Sequence, residues 1–304
     1  MKLSYELWPN DPYDGMGATG VAMNSWANLP IEEQVDRVAK YGYQGVDFFH
    51  HLFLKMDDKE LDRVRNTLKD YVKEKGLTIP SIGAHHLVIT DRPWEIRGQI
   101  DLIKQAIDLA VEIGAETVVS YIGGYYNPPT YKLMTRAKAV KILVDSVREF
   151  CDYAGEKGLT FSIEPHQETL IDKPEVTMEI VEKINRENLR ISIDFGGLEL
   201  GVKPVMPIEK GLKMYGELIN SVHAKDITGV TGNWNMCWFG GGLVDFKRYA
   251  EAFRQIGYDG FVTVEWEGWF KGGEHGLGDL GNDGLGDFDL AAPEAYKFLS
   301  KYFY

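Results

Sequence analysis

The sequence predicts an α/β protein folded as a (β/α)8 TIM barrel, and three observations support this prediction. Short β-branched segments alternate with longer amphipathic segments eight times along the chain, as in a parallel sheet built from βα units. The 304 residues suit one such barrel, which commonly needs about 250 residues. The sequence contains no low-complexity linker that would divide it. We therefore expect a single TIM-barrel domain, 1–304, with long loops at 8–30 and 268–290 over its mouth.

Eight short runs rich in β-branched and aromatic residues are the predicted strands. Their length and their bounding glycine, proline and charged residues are typical of strands that are buried on both faces. In chain order they span 3–7, 45–49, 79–85, 117–124, 160–166, 190–196, 220–226 and 261–267.

Eight amphipathic segments follow the strands and are the predicted helices. Several end on a glycine, which suits a left-handed C-terminal cap before the next strand. The phrases EKGLTI, EKGLTF and QIGYDGF repeat this order of helix end, glycine and strand start. The predicted helices span 31–42, 58–76, 93–114, 135–158, 173–185, 207–218, 245–257 and 292–303.

The charge of the chain argues against two classes of partner. The formal net charge is −13, from 46 acidic and 33 basic residues, and this disfavours binding to nucleic acid or to an anionic membrane. Cys151 and Cys237 do not form a framework of spaced pairs, and the N-terminus lacks the pattern of a signal peptide. No apolar run approaches the roughly 18 residues of a membrane span. We expect a soluble, cytoplasmic protein with free thiols.

Ionisable side chains lie at the C-terminal ends of four consecutive predicted strands. In a (β/α)8 barrel these ends surround the pocket in which chemistry takes place. Strands five to eight end with Glu164, Asp194, His223 and Glu265. Any one of them alone could be a solvated strand end or a helix cap, but four at the same relative height indicate a shared site.

These four side chains offer oxygen and nitrogen ligands and no thiolate. Such a set suits a divalent cation, with Mn²⁺ the cofactor we expect first and Mg²⁺ or Co²⁺ as alternatives. The sequence therefore predicts a metal site formed by Glu164, Asp194, His223 and Glu265.

Four segments of the sequence resemble a known family. SIEPH, ISIDFGG, VHAKD and the segment from GGGLVDF to VTVEWE are similar to the conserved blocks of the xylose isomerase-like TIM barrels. This group of sugar phosphate isomerases and epimerases includes ketose 3-epimerases and inosose dehydratases. The similarity covers roughly residues 30–304. It implies that Glu164, Asp194, His223 and Glu265 bind the metal.

The resemblance also implies a reaction. In ketose epimerases and isomerases the substrate's carbonyl and a neighbouring hydroxyl are held by the metal, which stabilises the enediolate formed when an adjacent C–H proton is removed. Glu164 and Glu265 would be the catalytic pair, one on each side of a small sugar substrate. The predicted activity is that of a metal-dependent sugar isomerase or epimerase.

Two positions depart from the pattern of ketose 3-epimerases. Those enzymes carry a histidine and an arginine where this chain has Gly197 and Gly229. The HAKD block, with Lys225 and Asp226, is closer to dehydratases and to lyases that cleave oxidised C-glycosides by β-elimination. The alternative is therefore a lyase or dehydratase on a keto-sugar or keto-inositol. A homo-oligomer, or a non-catalytic role as a sugar-binding or accessory subunit, also stays open.

Further side chains are candidate substrate contacts. His85 ends the third predicted strand, and His166 shares the face of Glu164 on an extended chain. Lys225 could bind a hydroxyl or carbonyl oxygen, or form a salt bridge with a barrel carboxylate. Trp269 is an aromatic side chain near the predicted mouth, where it could stack on a sugar.

Overall fold

Eight parallel strands close into a barrel in the computed structural model of the chain. The structure describes residues 1–9, 22–23, 25–122, 134–167, 169–200, 206–231, 233–266, 269–270 and 288–304. Each strand pairs with the next along the chain, and the last pairs with the first. The strands are β1 Lys2–Leu7, β2 Gly45–Phe49, β3 Ser81–Gly83, β4 Thr117–Ser120, β5 Thr160–Ile163, β6 Leu189–Asp194, β7 Ile219–Ala224 and β8 Phe261–Val264.

Helices follow the strands as the amphipathic pattern predicts. Asp57, Thr135 and Asp245 cap the N-termini of three of them by accepting a hydrogen bond from a backbone N–H three residues later. Glycines that follow helix ends at 76, 114, 158 and 257 have φ between 74° and 78°, as the predicted left-handed caps require. The helices are α1 Ile31–Lys40, α2 Asp58–Glu74, α3 Pro93–Ile113, α4 Arg136–Glu156, α5 Pro174–Ile184, α6 Phe195–Glu199, α7 Ile208–Tyr215, α8 Phe246–Gln255 and α9 Phe288–Phe303.

The eight predicted strands and the (β/α)8 fold are confirmed, and the structure adds short elements that the sequence did not indicate. These are a 3-10 helix at His50–Lys55, the short helix α6, and an antiparallel hairpin of Asp226–Val230 with Asn233–Cys237. Helix α9 also begins at Phe288, before the predicted start at 292, and contains Pro293. The prediction placed that proline in the first turn, where a missing N–H costs least.

Most of the two predicted long loops lies outside the described residues. The parts that are described include Ala22–Met23 and Trp269–Phe270, which pair antiparallel. The two connections therefore meet at these four residues. Among the described residues, no helix is long and apolar enough to cross a membrane.

The inside of the barrel is polar, whereas its outside is packed against the helices. Along β1, Leu3, Tyr5 and Leu7 belong to the hydrophobic core. The hydroxyl of Ser4 points to the lumen and forms a 2.8 Å hydrogen bond with the hydroxyl of Thr263 on the neighbouring strand β8. Strands alternate their faces, so Glu6 lies on the same side as Ser4. These hydroxyl and carboxyl groups of the lumen lie directly below the candidate site.

Candidate functional site

Glu164, His223 and Glu265 converge at the C-terminal ends of β5, β7 and β8. One ligand atom of each lies within 4.8 Å of the others, and all three side chains are buried. The Nδ1 atom of His223 lies 3.3 Å from Glu164 Oε2 and 3.5 Å from Glu265 Oε2. The backbone N–H groups of Glu164 and Glu265 donate to Ser120 and Ala224, each at 3.1 Å. The barrel ladder therefore fixes where both carboxylates leave the chain.

The donor set of this cluster fits a divalent cation. Both ring nitrogens of His223 and Oε2 of Glu164 are buried without a hydrogen bond of good geometry to the described residues. Buried polar atoms are nearly always hydrogen bonded or bound to an ion. Two carboxylates and an imidazole are ligands that Mn²⁺, Mg²⁺ and Co²⁺ accept. These residues can hold such a cation and satisfy their buried atoms by doing so.

Asp194, the fourth predicted ligand, lies beside this cluster rather than within it. It ends β6 directly opposite His223 in the strand register. Its Oδ1 accepts a short hydrogen bond from the backbone N–H of Gly197 and caps helix α6. Its Oδ2 lies 3.0 Å from Lys225 Nζ. The structure thus brings three of the four predicted ligands together and pairs the fourth with a lysine.

Lys225 joins the two parts of the site. Its ammonium is buried and lies 2.9 Å from Glu265 Oε2 as well as 3.0 Å from Asp194 Oδ2. The salt bridge that the sequence allowed for Lys225 is present, and its contact with a substrate stays a prediction. A buried ammonium between two carboxylates balances charge that would otherwise be costly to bury.

The surroundings of Glu164 and Glu265 shift their pKa values in opposite directions. Burial raises the pKa of Glu164, but the charge and contact of His223, helped by His85, outweigh it and bring the pKa below its usual range. Burial raises the pKa of Glu265 well above its usual value against the opposing charges of Lys225 and His223. Burial lowers the pKa of His223, yet both glutamates together raise it well above its ordinary value. Ligand groups must lose their protons to bind a metal, so these directions describe the metal-free chain.

His85, a predicted substrate contact, lies beside Glu164. Its Nδ1 accepts from the backbone N–H of Tyr121 at 2.9 Å, and burial lowers the pKa of His85 to about 3. The neutral ring therefore carries its proton on Nε2. That atom lies 4.0 Å from Glu164 Oε2.

His166 and Trp269 are the other two predicted substrate contacts. His166 is half-buried, and its Nδ1 lies 3.3 Å from the carbonyl oxygen of Gln167. The ring of His166 lies 5.2 Å from that of Tyr121, which also contacts His85. Trp269 belongs to a two-residue strand, but its side chain lies outside the described residues.

Asp226 of the HAKD block shapes a loop instead of entering the site. Its buried carboxylate accepts hydrogen bonds from four backbone N–H groups, at 2.7 to 3.2 Å. The donors are Ile227, Gly240, Gly242 and Val244. The block thus combines a candidate ligand, an ion-paired lysine and a loop anchor in four residues.

Gly197 and Gly229 both lie where backbone atoms of other residues approach closely. A Cβ atom at Gly197 would lie 2.9 Å from the carbonyl oxygen of Pro165. Gly229 has a φ of 101°, and a Cβ there would lie 2.3 Å from the carbonyl oxygen of Asn233 in the hairpin. Neither position has room for a side chain in this backbone.

Glu6 is a candidate site residue that the sequence analysis missed. It is fully buried in the lumen, and neither carboxyl oxygen has a hydrogen-bond partner among the described residues. A Cβ at Gly83 would lie 2.9 Å from its Oε1, so that glycine leaves the space the carboxyl occupies. Burial raises the pKa of Glu6 to about 8, with the charge of His223 opposing. The alternation of Ser4 and Glu6 with apolar neighbours was the available signal.

Comparison with known proteins supports the family inferred from the sequence blocks. A model of the xylose isomerase-like TIM barrel family matches residues 35–278. A ketose 3-epimerase of Arthrobacter globiformis is 25% identical over 66% of this chain and 67% of its own. An inosose dehydratase of Geobacillus thermodenitrificans is 23% identical over 82% of this chain and 89% of its own. The uncharacterized protein MJ1311 of Methanocaldococcus jannaschii is 29% identical, but the match spans only 55% of this chain and 56% of that relative.

A solved structure shares the whole fold. A D-psicose 3-epimerase, determined in the presence of D-fructose, matches with a TM-score of 0.73 over 100% of this chain and 99% of that one. Its 16% identity limits the likeness to the fold. The family match, in contrast, covers most of the sequence and confirms the resemblance seen in its motifs. The chain belongs to the xylose isomerase-like TIM barrel family.

Proposed function

We propose that this protein is a divalent-metal-dependent sugar isomerase or epimerase that moves a proton through an enediolate. The observation that supports the proposal most strongly is the convergence of Glu164, His223 and Glu265, with one ligand atom of each within 4.8 Å of the others. The ketose 3-epimerase among the relatives agrees with this class. The substrate would be a small sugar bound at the mouth of the barrel.

Glu164, His223 and Glu265 would hold the cation, with Asp194 as a fourth ligand. The oxygen and nitrogen donors favour Mn²⁺ as the cofactor, ahead of Mg²⁺ and Co²⁺. Such a cation, when bound, acts as a Lewis acid toward the carbonyl and the neighbouring hydroxyl of the substrate.

Glu164 is the proposed base. A carboxylate binds a metal in its deprotonated form, so Glu164 would be ionised and able to accept a proton from the carbon beside a carbonyl. In an epimerisation Glu265, on the other side of the substrate, would deliver a proton taken up from solvent to the opposite face of the same carbon, while Glu164 would release its own proton to solvent. His85, with its Nε2–H toward Glu164, would orient that carboxylate or a substrate hydroxyl, and His166 and Trp269 are proposed as outer contacts.

A lyase or dehydratase acting on a keto-sugar or keto-inositol is the second candidate. The observation that favours it is the ammonium of Lys225, which lies 2.9 Å from Glu265, together with the absence of room for a side chain at Gly197 and Gly229. A fixed ammonium can stabilise an enolate oxygen while a β-leaving group departs. Both candidates begin with proton removal by Glu164 and differ in whether the carbon is reprotonated.

Proton exchange with solvent separates the two candidates. The protein is incubated in D₂O with Mn²⁺ and a panel of ketoses, keto-inositols and 3-keto-glycosides, followed by NMR and mass spectrometry. An isomerase or epimerase incorporates deuterium at carbon and yields an isomer, whereas a lyase yields a product that has lost water or an aglycone. Absence of both outcomes across the panel would contradict the proposal of an enzyme on these substrates.

Variants of the base test the assignment of residues. Glu164→Gln keeps the shape of the side chain but removes the charge, and we expect it to lower exchange at least about 10³-fold because the proton acceptor is lost. Glu251→Gln, an exposed glutamate on α8, is the matched control and should retain full activity. Exchange by Glu164→Gln at the wild-type rate would remove Glu164 from the mechanism.

A further inference from the structure

The carboxylates of the site have two different counterions in the metal-free chain. His223 contacts Glu164 and Glu265 through Nδ1, at 3.3 and 3.5 Å. Lys225 contacts Asp194 and Glu265 through Nζ, at 3.0 and 2.9 Å. Glu265 is shared by both. Lys225 therefore holds two of the four groups that the proposed cation would bind.

The position of Lys225 is fixed by its surroundings. A Cβ at Gly196 would lie 3.3 Å from Lys225 Cδ and 3.1 Å from Asp194 Oδ1, so the lysine stem and the aspartate pack together against the first turn of α6. Asp194 is itself held there because its Oδ1 caps that helix. The remaining oxygen, Oδ2, faces the ammonium. In this arrangement, the oxygen of Asp194 that is free to bind a metal is the one that Lys225 occupies.

The ammonium of Lys225 should weaken metal binding in two ways. Like charges repel strongly where water is excluded, so the ammonium disfavours an incoming divalent ion. The ammonium also stabilises the metal-free state, because without it Asp194 would lose its ion-pair partner and Glu265 would keep only His223. Removal of the ammonium should therefore raise the affinity for the metal.

We propose that Lys225 is a built-in counterion that takes the place of the metal between Asp194 and Glu265 and weakens metal binding. The inference rests on the metal site of the proposed function. It assigns to Lys225 a role in the metal-free protein that is separate from any contact with substrate. Asp194 then becomes the fourth ligand when the cation displaces the ammonium.

Metal affinity without substrate tests the proposal. Isothermal titration of Mn²⁺ into the EDTA-treated full-length protein compares wild type with Lys225→Met, which keeps most of the stem and removes the charge. We expect Lys225→Met to bind Mn²⁺ at least about tenfold more tightly, and its metal-free form to melt at a lower temperature than wild type. Lys104→Met removes a half-buried lysine paired with Glu149 on the helical shell and should leave the Mn²⁺ affinity unchanged.

Further variants make the outcome decisive. If Lys225→Met does not fold without metal, Lys225→Gln, which retains a polar end, should show the same tighter binding. Equal or weaker affinity in the variant that folds overturns the inference. The metal site itself is tested by Glu164→Gln, which should weaken Mn²⁺ binding. If wild type binds Mn²⁺ and Glu164→Gln weakens it while the Lys225 variants do not tighten it, only the counterion role fails, whereas no binding by wild type overturns both.

Discussion

Two lumen carboxyls, Glu6 and Asp47, are both fully buried but have different surroundings. Asp47 accepts hydrogen bonds from the hydroxyls of Ser81 and Thr263, at 2.7 and 3.2 Å. Glu6 lies next to it in the strand register but has no such partner among the described residues. Burial without a hydrogen bond favours the neutral form of a carboxyl. The contrast indicates that Glu6 keeps its proton near neutral pH.

The raised pKa of Glu6 makes the free energy of unfolding depend on pH. The pKa of Glu6 is about 8 in the folded chain, above its ordinary value of 4.5. Its stabilising contribution is therefore fully present below about pH 4.5 and is lost as the pH rises toward 8, because only the unfolded chain releases the proton. Glu6→Gln is neutral at every pH, so its stability relative to wild type should increase by about 1.4 kcal/mol per pH unit over that range.

Urea unfolding at pH 5, 6, 7 and 8 in EDTA measures this difference. The exposed Glu251→Gln should give a line parallel to wild type. A constant difference between Glu6→Gln and wild type across the four pH values would show that Glu6 is already ionised in the folded chain.

The hairpin that follows β7 leaves no room for a side chain at Gly229. Its turn brings Gly229 against Asn233, where a Cβ would lie 2.3 Å from a backbone oxygen. The φ of 101° adds strain for any other residue. Asp226, at the start of the same hairpin, holds the loop beyond it through four backbone N–H groups. Close backbone contacts thus hold the hairpin at Gly229 and the loop at Asp226.

Gly229→Ala should lower the free energy of unfolding more than alanine does at a glycine that has a positive φ but no close neighbour. Gly158 has a φ of 78° and nothing within 4 Å of an added Cβ, so Gly158→Ala should cost about 1 kcal/mol. Gly229→Ala adds a backbone clash, and we expect a cost of about 3 kcal/mol. The two variants are compared by urea unfolding at one pH. Equal costs would mean that the hairpin relaxes freely and that an arginine could be accommodated there.

Elements with a clear period could be predicted from the sequence, whereas elements held by single contacts could not. The second strand was predicted at 45–49 and forms Gly45–Phe49. Helix α6 has five residues, two of them glycine, so it has no amphipathic period, and it exists because Asp194 caps it. The third strand was predicted at 79–85 but spans only Ser81–Gly83. Directly after it the backbone N–H of His86 donates to the carbonyl oxygen of Ala84 at 2.9 Å, so the chain turns instead of continuing the ladder.

The candidate site was predictable to the extent that it depends on strand ends. Glu164, His223 and Glu265 follow apolar strands at the same height, and the structure brings them together. The pairing of Asp194 with Lys225 depends on which side chain of the neighbouring strand reaches it, and the sequence left that contact open. Glu6 was missed because it lies in the first strand, outside the four strands that were compared.

At the scale of the whole molecule, buried histidines form contacts between two neighbouring loops, the one that follows β2 and the one that follows β3. His50 Nδ1 and His86 Nε2 lie 3.0 Å apart, and the rings of His51 and His86 stack at 4.7 Å. Burial lowers the pKa of His50 to about 3 and that of His86 to about 2. Both rings are therefore neutral in the folded chain near neutral pH.

These histidines should make the fold sensitive to acid. Their folded pKa values lie below the ordinary value of 6.5, so below about pH 6.5 the unfolded chain binds protons that the folded chain does not, and stability is lost as the pH falls. Replacement of either ring by an amide removes one of these protons. The stability of His50→Gln or His86→Gln relative to wild type should therefore rise by about 1.4 kcal/mol for each pH unit below 6.5.

Urea unfolding between pH 7.5 and 4.5 in EDTA tests the two variants side by side. Above pH 6.5 each variant is expected to be less stable than wild type by a constant amount, because the ring contact is lost. Below that pH the difference should shrink at the stated slope and then reverse. Lines parallel to wild type down to pH 4.5 would show that the histidines take up protons in the folded chain, and that the two connections do not limit its stability in acid.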